Sequence, residues 1–536
     1  MQRRQLLTAA PLAWALAGCQ PRADDVAHIS GSFTGISHER GHLLRDAAAP
    51  ATPASGPVRR VHTLILGAGV AGLAAARALR QRGLDDIAVL ELEDSPGGNS
   101  RGGSVNGIAC PLGAHYLPVP GDDAPEVQAL LEDFGLRQRV AGRWVYDERH
   151  LCHSPQERLY RQGHWQDGLL PVQGAGPGTL AQYRRFAALV ADLGRRARFA
   201  LPAARAPWLP AHQALDSVTL QVWLDQQGLD DPQLRWYLDY CCRDDYGAGL
   251  HRVSAWAGLH YFASRHGFHA PGEPNTEQDA VLTWPQGNGW LVERLAAPLG
   301  QRLQTGCVVL RVRDERHQVS VDVLRQPGQQ PERWQAEHAI IALPLHVAAR
   351  VVENPPEVLR QTAARLPHAP WLVANWQLSR PLRDRPGAAP SWDNVLYGSA
   401  SLGYVDAMHQ SLSPVPGPTV LTHYLALGDV PDARALLLSR TWADWRDPLL
   451  AELMLPHPDL PDVAVALALT RHAHAMAIPV PGLQTWLRRL APATRPGQPM
   501  PLPRAGRLSL AHSDWAGYSV FEEAYVRGLS AGQGHG

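Results

Sequence analysis

Two apolar runs of strand length lie near the start of the chain and flank a stretch of helical composition. The runs cover residues 61–66 and 87–90, and both are rich in Val, Ile and Leu. Between them, residues 73–80 contain only Ala, Leu and Arg, which favour a helix. The pattern predicts a strand, a helix and a second strand in that order.

Longer periodic segments follow. Apolar residues return at three- and four-residue intervals in 124–134 and 179–193, which predicts two amphipathic helices. Residues 371–378 have the composition of a strand. These segments lie in two insertions, 119–281 and 346–494, the first mainly helical and the second mixing strands with helices. We expect the two insertions to assemble into one substrate domain.

The turn between the first predicted strand and the helix has the spacing of a dinucleotide-binding loop. Gly67 permits the tight turn, Gly69 lets the backbone approach a pyrophosphate, and Gly72 lets helix and strand pack closely. A pyrophosphate there faces the N-terminus of the helix, which favours an anion. Glu91 ends the second strand 19 residues after Gly72, where its carboxylate can accept hydrogen bonds from a ribose.

Five further segments carry recognisable motifs. They are Glu91–Arg101 with its Gly97-Gly98 pair, Pro111–Tyr116, Trp284–Leu295, the strand residues Val309 and Ala342–Pro344, and Leu508–Ala524. Together with the glycine-rich turn they resemble the superfamily of flavin-containing amine oxidases, phytoene desaturases and protoporphyrinogen oxidases. The resemblance covers about residues 58 to 532 and favours FAD over NAD as the cofactor.

The resemblance implies an α/β fold, in which a Rossmann-like FAD-binding domain (GR2 type) carries an inserted, mixed α+β substrate domain. The FAD-binding domain would combine residues 58–118, 282–345 and 495–532, and the substrate domain would combine 119–281 and 346–494. The residues assigned to FAD in this way are Gly67, Gly69, Val70, Ala71, Gly72, Glu91, Gly97, Gly98, Arg101, Gly113, Ala114, His115, Val309, Asp514 and Glu522.

The chain departs from the family pattern at several positions. Many amine oxidases carry a lysine that holds a water against the flavin, but all 50 Lys and Arg residues of this chain are arginine. Asn99 stands where the first basic residue after the Gly-Gly pair is expected, which leaves that role to Arg101. His512 and Ser513 stand where a glycine is usual. Oxidase and dehydrogenase chemistry therefore both stay open.

The resemblance also indicates which side chains lie near the flavin ring. His115 and Tyr116 belong to the segment that passes beside the ring, and Trp515 and Tyr518 follow the last motif and would wall the pocket. We take these four as candidate catalytic residues. Ordinary core packing is the alternative for each aromatic side chain.

A dense cluster of acidic and aromatic residues occupies 235–249 in the first insertion. Within it, Tyr240, Asp244 and Asp245 would suit a cationic amine through charge pairing and cation–π contact. The alternative is a helix end whose acids cap a neighbouring helix or pair with Arg243.

The expected function is that of an FAD-dependent oxidoreductase, which transfers a hydride from a substrate C–H, in an amine, to flavin N5. A polyene or porphyrinogen desaturase is the enzymatic alternative, and a flavin-binding envelope protein without turnover is the other. The net charge is +0 and no basic run follows the first residues, so we expect no nucleic-acid partner. No cysteine spacing indicates a metal site.

Residues 1–19 have the form of a bacterial export signal, with a charged start, a short apolar region and small residues before Cys19. Arg3 and Arg4 indicate the twin-arginine export machinery, which carries folded proteins. The residues before Cys19 resemble a lipobox. We therefore expect lipidation of Cys19 and attachment to a membrane surface on the periplasmic side.

Residues 20–57 are rich in Ala, Pro, Ser, Asp and Gly, which predicts a flexible linker. The stretch 31–45 is less uniform in composition than its flanks, and its docking on the catalytic body stays open. The five cysteines after Cys19 are expected to be free thiols, including the adjacent Cys241 and Cys242.

Overall fold

The computed structural model of the chain describes residues 26–46, 56–152, 156–265, 267–272, 280–411, 415–490 and 504–534. The predicted export signal, with Arg3, Arg4 and Cys19, lies outside these residues.

The strands are β1 (Ser30–Phe33), β2 (Val58–Leu66), β3 (Ile87–Leu90), β4 (Gly102–Val105), β5 (Ile108–Pro111), β6 (Tyr116–Pro118), β7 (Arg137–Val140), β8 (Arg143–Tyr146), β9 (Glu157–Arg161), β10 (His164–Asp167), β11 (Val281–Thr283), β12 (Leu303–Gln304), β13 (Cys307–Asp314), β14 (Val319–Arg325), β15 (Gln330–Ile341), β16 (His368–Leu378), β17 (Asp393–Leu396), β18 (Tyr404–Asp406), β19 (Thr419–Ala426), β20 (Ala464–Ala477), β21 (Arg504–Ala505) and β22 (Leu508–Leu510).

The helices are α1 (His38–Asp46), α2 (Val70–Gln81), α3 (Pro125–Asp133), α4 (Pro177–Arg196), α5 (Pro210–Asp216), α6 (Leu220–Gln226), α7 (Pro232–Tyr246), α8 (Ala255–Ala263), α9 (Gly289–Ala296), α10 (Leu345–Val351), α11 (Glu357–Arg365), α12 (Ala433–Ser439), α13 (Trp442–Met454), α14 (Leu460–Val463), α15 (Leu483–Leu490) and α16 (Phe521–Gln533). The helices predicted at 124–134 and 179–193 are α3 and α4, and the predicted strand 371–378 is the end of β16, so these predictions are confirmed.

The first large sheet contains the predicted strand–helix–strand unit. β2 lies between β3 and β15, and all three run parallel, with β12 beyond β3 and β22 beside the carboxyl half of β15. β13 and β14 extend the sheet antiparallel from the other half of β15. Parallel strands bring their carboxyl ends to one edge, where a dinucleotide binds in folds of this kind. The predicted α/β, Rossmann-like fold is confirmed.

Helix α16 packs directly on α2 and joins the two ends of the chain. A side chain on Gly528 of α16 would fall on the carbonyl oxygen of Ala71 in α2, closer than atoms can approach. Glycine at this position therefore allows the two helix backbones to touch. The contact holds the C-terminal motif against the helix that follows the glycine-rich turn.

The second large sheet has eight strands in the order β1-β20-β16-β19-β18-β17-β9-β10. β9 and β10 come from the first insertion and β16 to β20 from the second, so the two insertions share one sheet. Every residue of β16 is buried, because α4 to α8 cover one face of the sheet and α12 to α14 cover the other. Residues that alternate along β16 belong to the two different cores.

Residues 26–46 form what we call the N-terminal strap. β1 pairs in parallel with β20 at the edge of the eight-stranded sheet, and α1 follows after a short turn. Val26 and Ile29 are buried in the core under that sheet. This part of the predicted linker is therefore not a flexible tether, because its backbone adds an edge strand to the eight-stranded sheet and its apolar side chains enter a core. The stretch 31–45, whose docking the sequence left open, is docked.

Cysteines 110, 152, 241, 242 and 307 are buried and free, as predicted. Across the described ranges, no helix is both long and apolar enough to span a bilayer. The same ranges contain no group of three or more His, Cys, Asp or Glu side chains arranged to hold a metal ion.

Candidate functional site

The glycine-rich turn joins β2 to α2 as the sequence predicted. Gly67 has a φ of 96°, which favours glycine, and its N–H donates to the carbonyl of Leu90 at 2.8 Å. A side chain on Gly72 would fall on the carbonyl oxygen of Gly67. A Cβ on Gly69, in contrast, would meet no atom within 4 Å. The turn therefore packs tightly against the protein at Gly67 and Gly72, whereas free space lies beside Gly69 at the N-terminus of α2.

Glu91 follows β3 and is buried behind this turn. One carboxylate oxygen accepts the N–H of Ala68 at 2.9 Å, and the other accepts the N–H of Glu93 at 3.0 Å. Arg101 lies 3.6 Å from the same carboxylate. Because each carboxylate oxygen has a second lone pair, Glu91 can brace the turn and still accept from a ribose. The ribose contact stays a prediction.

The Gly-Gly pair returns the chain to the turn. Gly97 donates to the carbonyl of Ala68 at 2.9 Å, and Gly98 lies so close to Gly69 that a Cβ on Gly98 would be 3.5 Å from the Gly69 Cα. Arg101 follows and is only 4% exposed. Its two terminal nitrogens donate to backbone carbonyls, while its Nε is buried and has no partner among the described residues.

The segment 111–116 passes between the two large sheets. Gly113 has no room for a side chain, which would fall on the carbonyl oxygen of Asn99. Ala114 donates to that carbonyl at 2.8 Å, and the Tyr424 hydroxyl donates to the carbonyl of Gly113 at 3.0 Å. The segment is thus fixed by the Gly-Gly loop on one side and by β19 on the other.

His115 leads an aromatic cluster in the interior. Its ring stacks on Tyr424 at 4.5 Å between centroids, with Tyr116 at 4.9 Å and Trp392 at 5.4 Å. Burial lowers the pKa of His115 to about 3, so the imidazole is neutral. His115 and Tyr116 lie deep in the protein yet keep part of their surface uncovered, so they border an internal space.

Carboxyl groups of α7 and β17 border the same cluster. The Tyr116 hydroxyl lies 3.4 Å from Asp244, and burial, reinforced by the neighbouring Asp245, raises the pKa of Asp244 to about 7. Asp245 is paired with Arg265 at 3.1 Å. Burial also holds the pKa of Asp393 well above its usual range, against a hydrogen bond from Tyr240. Asp244 forms no ion pair within the described part of the chain.

The acid of the C-terminal motif is held by three protein groups. Asp514 is buried and accepts from the N–H of Leu345 at 2.9 Å, with His368 at 3.1 Å and His512 at 3.3 Å. Burial opposes ionisation, but the two histidines outweigh it and hold the pKa of Asp514 well below its usual range. Both oxygens are engaged with protein, so its contact with the ribityl chain stays a prediction.

Trp515 and Tyr518 are fully buried in different hydrophobic clusters. Trp515 belongs to a cluster with residues of β13, α10 and α15, whereas Tyr518 packs on Trp256 and His260 of α8 and donates to Glu523 at 2.7 Å. Tyr518 shares its cluster with Tyr116, and Trp515 does not. The structure thus places Trp515 in a different hydrophobic cluster from Tyr116 and Tyr518, and its role beside the flavin stays a prediction.

The remaining predicted cofactor residues lie at the rim of this region. Val70 and Ala71 are in the first turn of α2, and Val309 is buried in β13, which starts beside the backbone of Glu91. Glu522 lies in the first turn of α16, where burial, opposed by Arg265, raises its pKa to about 7.

Four residues of the internal cluster carried no sequence signal: Trp392, Asp393, Tyr424 and Arg265. Trp392, just before β17, and Tyr424 of β19 border His115, and Arg265 reaches Asp245 from just after α8. They come from separate parts of the two insertions and meet only through the eight-stranded sheet and its helices. No short-range pattern could indicate them.

Comparisons with known proteins agree with this geometry. A family model described as flavin containing amine oxidoreductase matches residues 70–533. A Mycobacterium tuberculosis protein named as a flavin-containing monoamine oxidase, AofH, is 28% identical over 316 residues, which are 56% of this chain and 60% of that protein. Human amine oxidase [flavin-containing] B is 25% identical over 300 residues, 55% of this chain and 52% of the relative. The matches thus span little more than half the length of these relatives.

Solved structures show the same fold. Putrescine oxidase bound to putrescine superposes with a TM-score of 0.66 at 19% identity, covering 89% of this chain and 99% of that one. Cyclohexylamine oxidase from Brevibacterium oxydans gives a TM-score of 0.60 at 18% identity, covering 88% and 98%.

The residues present fit FAD, the cofactor of these flavoproteins. Gly69 leaves open the space that a pyrophosphate needs, and the buried Nε of Arg101 is an unused donor for an anion. The glycine-rich turn and the Gly97-Gly98 pair would hold the pyrophosphate, and Glu91 would hold the ribose. His115 would lie where the resemblance places the flavin ring.

Proposed function

Because the chain belongs to the family of flavin-containing amine oxidoreductases, we propose that it is an FAD-dependent enzyme that oxidises an amine. In this proposal a hydride leaves the carbon next to the amine nitrogen. When bound, FAD supplies the two-electron acceptor.

One observation supports an amine above other substrates. Asp244 is an enclosed carboxyl group beside an aromatic cluster, and no cation among the described residues is paired with it. A buried carboxylate is costly without a positive partner, so the site favours a ligand that brings one. An ammonium group is such a ligand, and the faces of Tyr116 and Trp392 add cation–π attraction.

The chain's own residues would bind the amine and then help it to lose its charge. Asp244 attracts the ammonium, and the Tyr116 hydroxyl keeps that carboxyl in place. A neutral amine gives up its hydride, and the dry aromatic surroundings disfavour the charged form. His115 is neutral because of burial, so it adds no positive charge that would repel the substrate.

The test is anaerobic mixing of the FAD-loaded protein with panels of amines, polyenes and porphyrinogens. We expect amines to remove the visible absorbance of the flavin and the other panels to leave it. Asp244→Asn should weaken apparent amine binding at least about tenfold, as expected for loss of a charged contact. Asp239→Asn, on the outer side of the same helix and paired with Arg243, is the matched control and should react like the wild type.

Other outcomes identify the alternatives. Bleaching by polyenes or porphyrinogens alone would refute the amine proposal and favour desaturation. No bleaching by any panel would favour a flavin-binding protein without turnover. Admitting oxygen to the reduced protein then separates an oxidase, which recolours rapidly, from a dehydrogenase that needs another acceptor.

We further propose that the protein is exported by the twin-arginine machinery and held by lipid at Cys19, facing the periplasm. The support is the sequence of residues 1–19 together with the site itself, which combines segments from both ends of the chain. Such a site can hold FAD only after folding, and a folded cargo requires this route.

A further inference from the structure

The N-terminal strap reaches the acidic side of the residues expected to hold FAD, which we call the FAD cradle: the glycine-rich turn 67–72, Glu91 and the loop with Gly97 and Gly98. After β1, the chain turns at Gly35, which has a φ of 83°, and Ser37 immediately precedes α1. The Ser37 N–H donates to both carboxylate oxygens of Glu93 at 3.2 Å. Arg40 donates to the carbonyl of Leu92 at 3.2 Å. These partners follow directly after Glu91, so the strap covers the loop that leads to the Gly-Gly pair.

The strap also fixes Arg101. One terminal nitrogen of Arg101 donates to the carbonyl of Gly35 at 2.8 Å, and the other donates to the carbonyl of Ser95 at 3.0 Å. These two bonds determine the plane of the guanidinium group, whose Nε is buried and has no partner among the described residues. A planar group held in this way offers its unused N–H groups, that of Nε among them, in fixed directions, which suits a phosphate oxygen.

Glu93 would otherwise oppose an anion at this place. It is a second buried acid, two residues after Glu91 and only 8% exposed. Arg40 lies 4.0 Å from Glu93 and 2.8 Å from Asp94, so its positive charge faces both acids. The strap therefore adds a cation and an N–H donor at the place where the glycine motif carries excess negative charge.

We propose that residues 34–40 are a built part of the FAD site, which hold Arg101 and Glu93 in position and so retain the cofactor. Arg40 is a positioning residue in this proposal, because it contacts the motif and not the cofactor. The proposal depends on FAD binding and is independent of the amine substrate, since its test follows the release of FAD alone.

The experiment measures the rate of FAD release from the holoenzyme, by the rise in flavin fluorescence after dilution. Arg40→Gln should release FAD about tenfold faster than wild type, which corresponds to roughly 1.4 kcal/mol. Arg40→Lys restores the charge and should recover most of the retention. Gly35→Val should also accelerate release, because its Cβ would lie 3.0 Å from Leu112 at a φ that valine disfavours.

A matched control separates positioning from general stability. Arg313 is 20% exposed and pairs with Asp322 at 2.9 Å and with Glu315 at 3.7 Å, and no ion pair or hydrogen bond joins it to the strap among the described residues, so Arg313→Gln should release FAD at the wild-type rate. The unfolding temperature of the apoprotein should change no more in Arg40→Gln than in Arg313→Gln. Release within twofold of wild type in Arg40→Gln, or equal acceleration in both variants, would overturn the proposal.

Discussion

Two glycines three positions apart should respond to alanine in opposite ways. A Cβ on Gly69 meets nothing within 4 Å, and its backbone, with φ −70° and ψ 179°, is open to any residue. A Cβ on Gly72 would overlap the carbonyl oxygen of Gly67, and it would lie 3.0 Å from the carbon of that carbonyl. Gly69→Ala therefore tests the cofactor space, and Gly72→Ala tests the packing of strand against helix.

The expected magnitudes follow from these contacts. Gly69→Ala should leave the free energy of unfolding of the apoprotein within about 1 kcal/mol of wild type, because the conformation is compatible with alanine. Gly72→Ala forces backbone atoms apart and should cost about 1–3 kcal/mol in the apoprotein. FAD affinity should fall in Gly69→Ala by at least about tenfold, because the methyl group takes space that the pyrophosphate needs.

The assay combines thermal unfolding of the two apoproteins with FAD titration followed by quenching of flavin fluorescence. Gly69→Ala should melt with the wild type and bind FAD weakly, whereas Gly72→Ala should melt early. Gly194 in α4 has nothing within 4 Å of its Cβ and lies far from the cradle, so Gly194→Ala is a control for both measurements. Full FAD affinity in Gly69→Ala would refute the placement of the pyrophosphate.

Three further predictions concern the pocket, the helix pair and export. Because the pKa of Asp244 is raised to about 7, its carboxyl is neutral below and charged above that pH, and kcat/KM for amines should rise through about pH 7. If the same rise in the pH profile persists in Asp244→Asn, it belongs to another group. Gly528→Ala should lower the melting temperature by separating α16 from α2, and an unchanged melting curve would contradict the close contact. Lysines in place of Arg3 and Arg4 should leave FAD-loaded protein in the cytoplasm, and continued export of holoprotein would refute the twin-arginine route.

The sequence predicted the cofactor half of the molecule well because its signals are local. The apolar runs 61–66 and 87–90 and the helix between them became β2, β3 and α2 with small changes at their ends. A turn that must touch a phosphate needs glycines at fixed offsets, and such a requirement is visible over a few residues. The same holds for α3 and α4, whose apolar spacing follows the helix period.

The substrate side was less predictable because its contacts are distant along the chain. The composition of 235–249 makes Asp244 a candidate, but Trp392 and Tyr424 join the aromatic cluster beside it only after the two insertions form one sheet. The composition of residues 20–57 predicts a linker and leaves the docking of 31–45 open, because the partners of the strap lie far away along the chain. Trp515, for which the sequence left a flavin contact and core packing open, is fully buried in a cluster that also contains residues of β13, α10 and α15.

The pairing of β1 with β20 has a consequence for the order of folding. Ser30 lies beside Val465, 435 positions later, so a ribosome has made most of the chain before this pair can form. Contacts of such long range form late, because a large loop must close first. The cradle, in contrast, begins with β2, α2 and β3, which are local. We therefore expect the local unit of β2, α2 and β3 to form early in synthesis, and β1 to join its sheet only once β20 has been made. Because α16 packs on α2 from the far end of the chain, the complete FAD site forms only with the full-length protein.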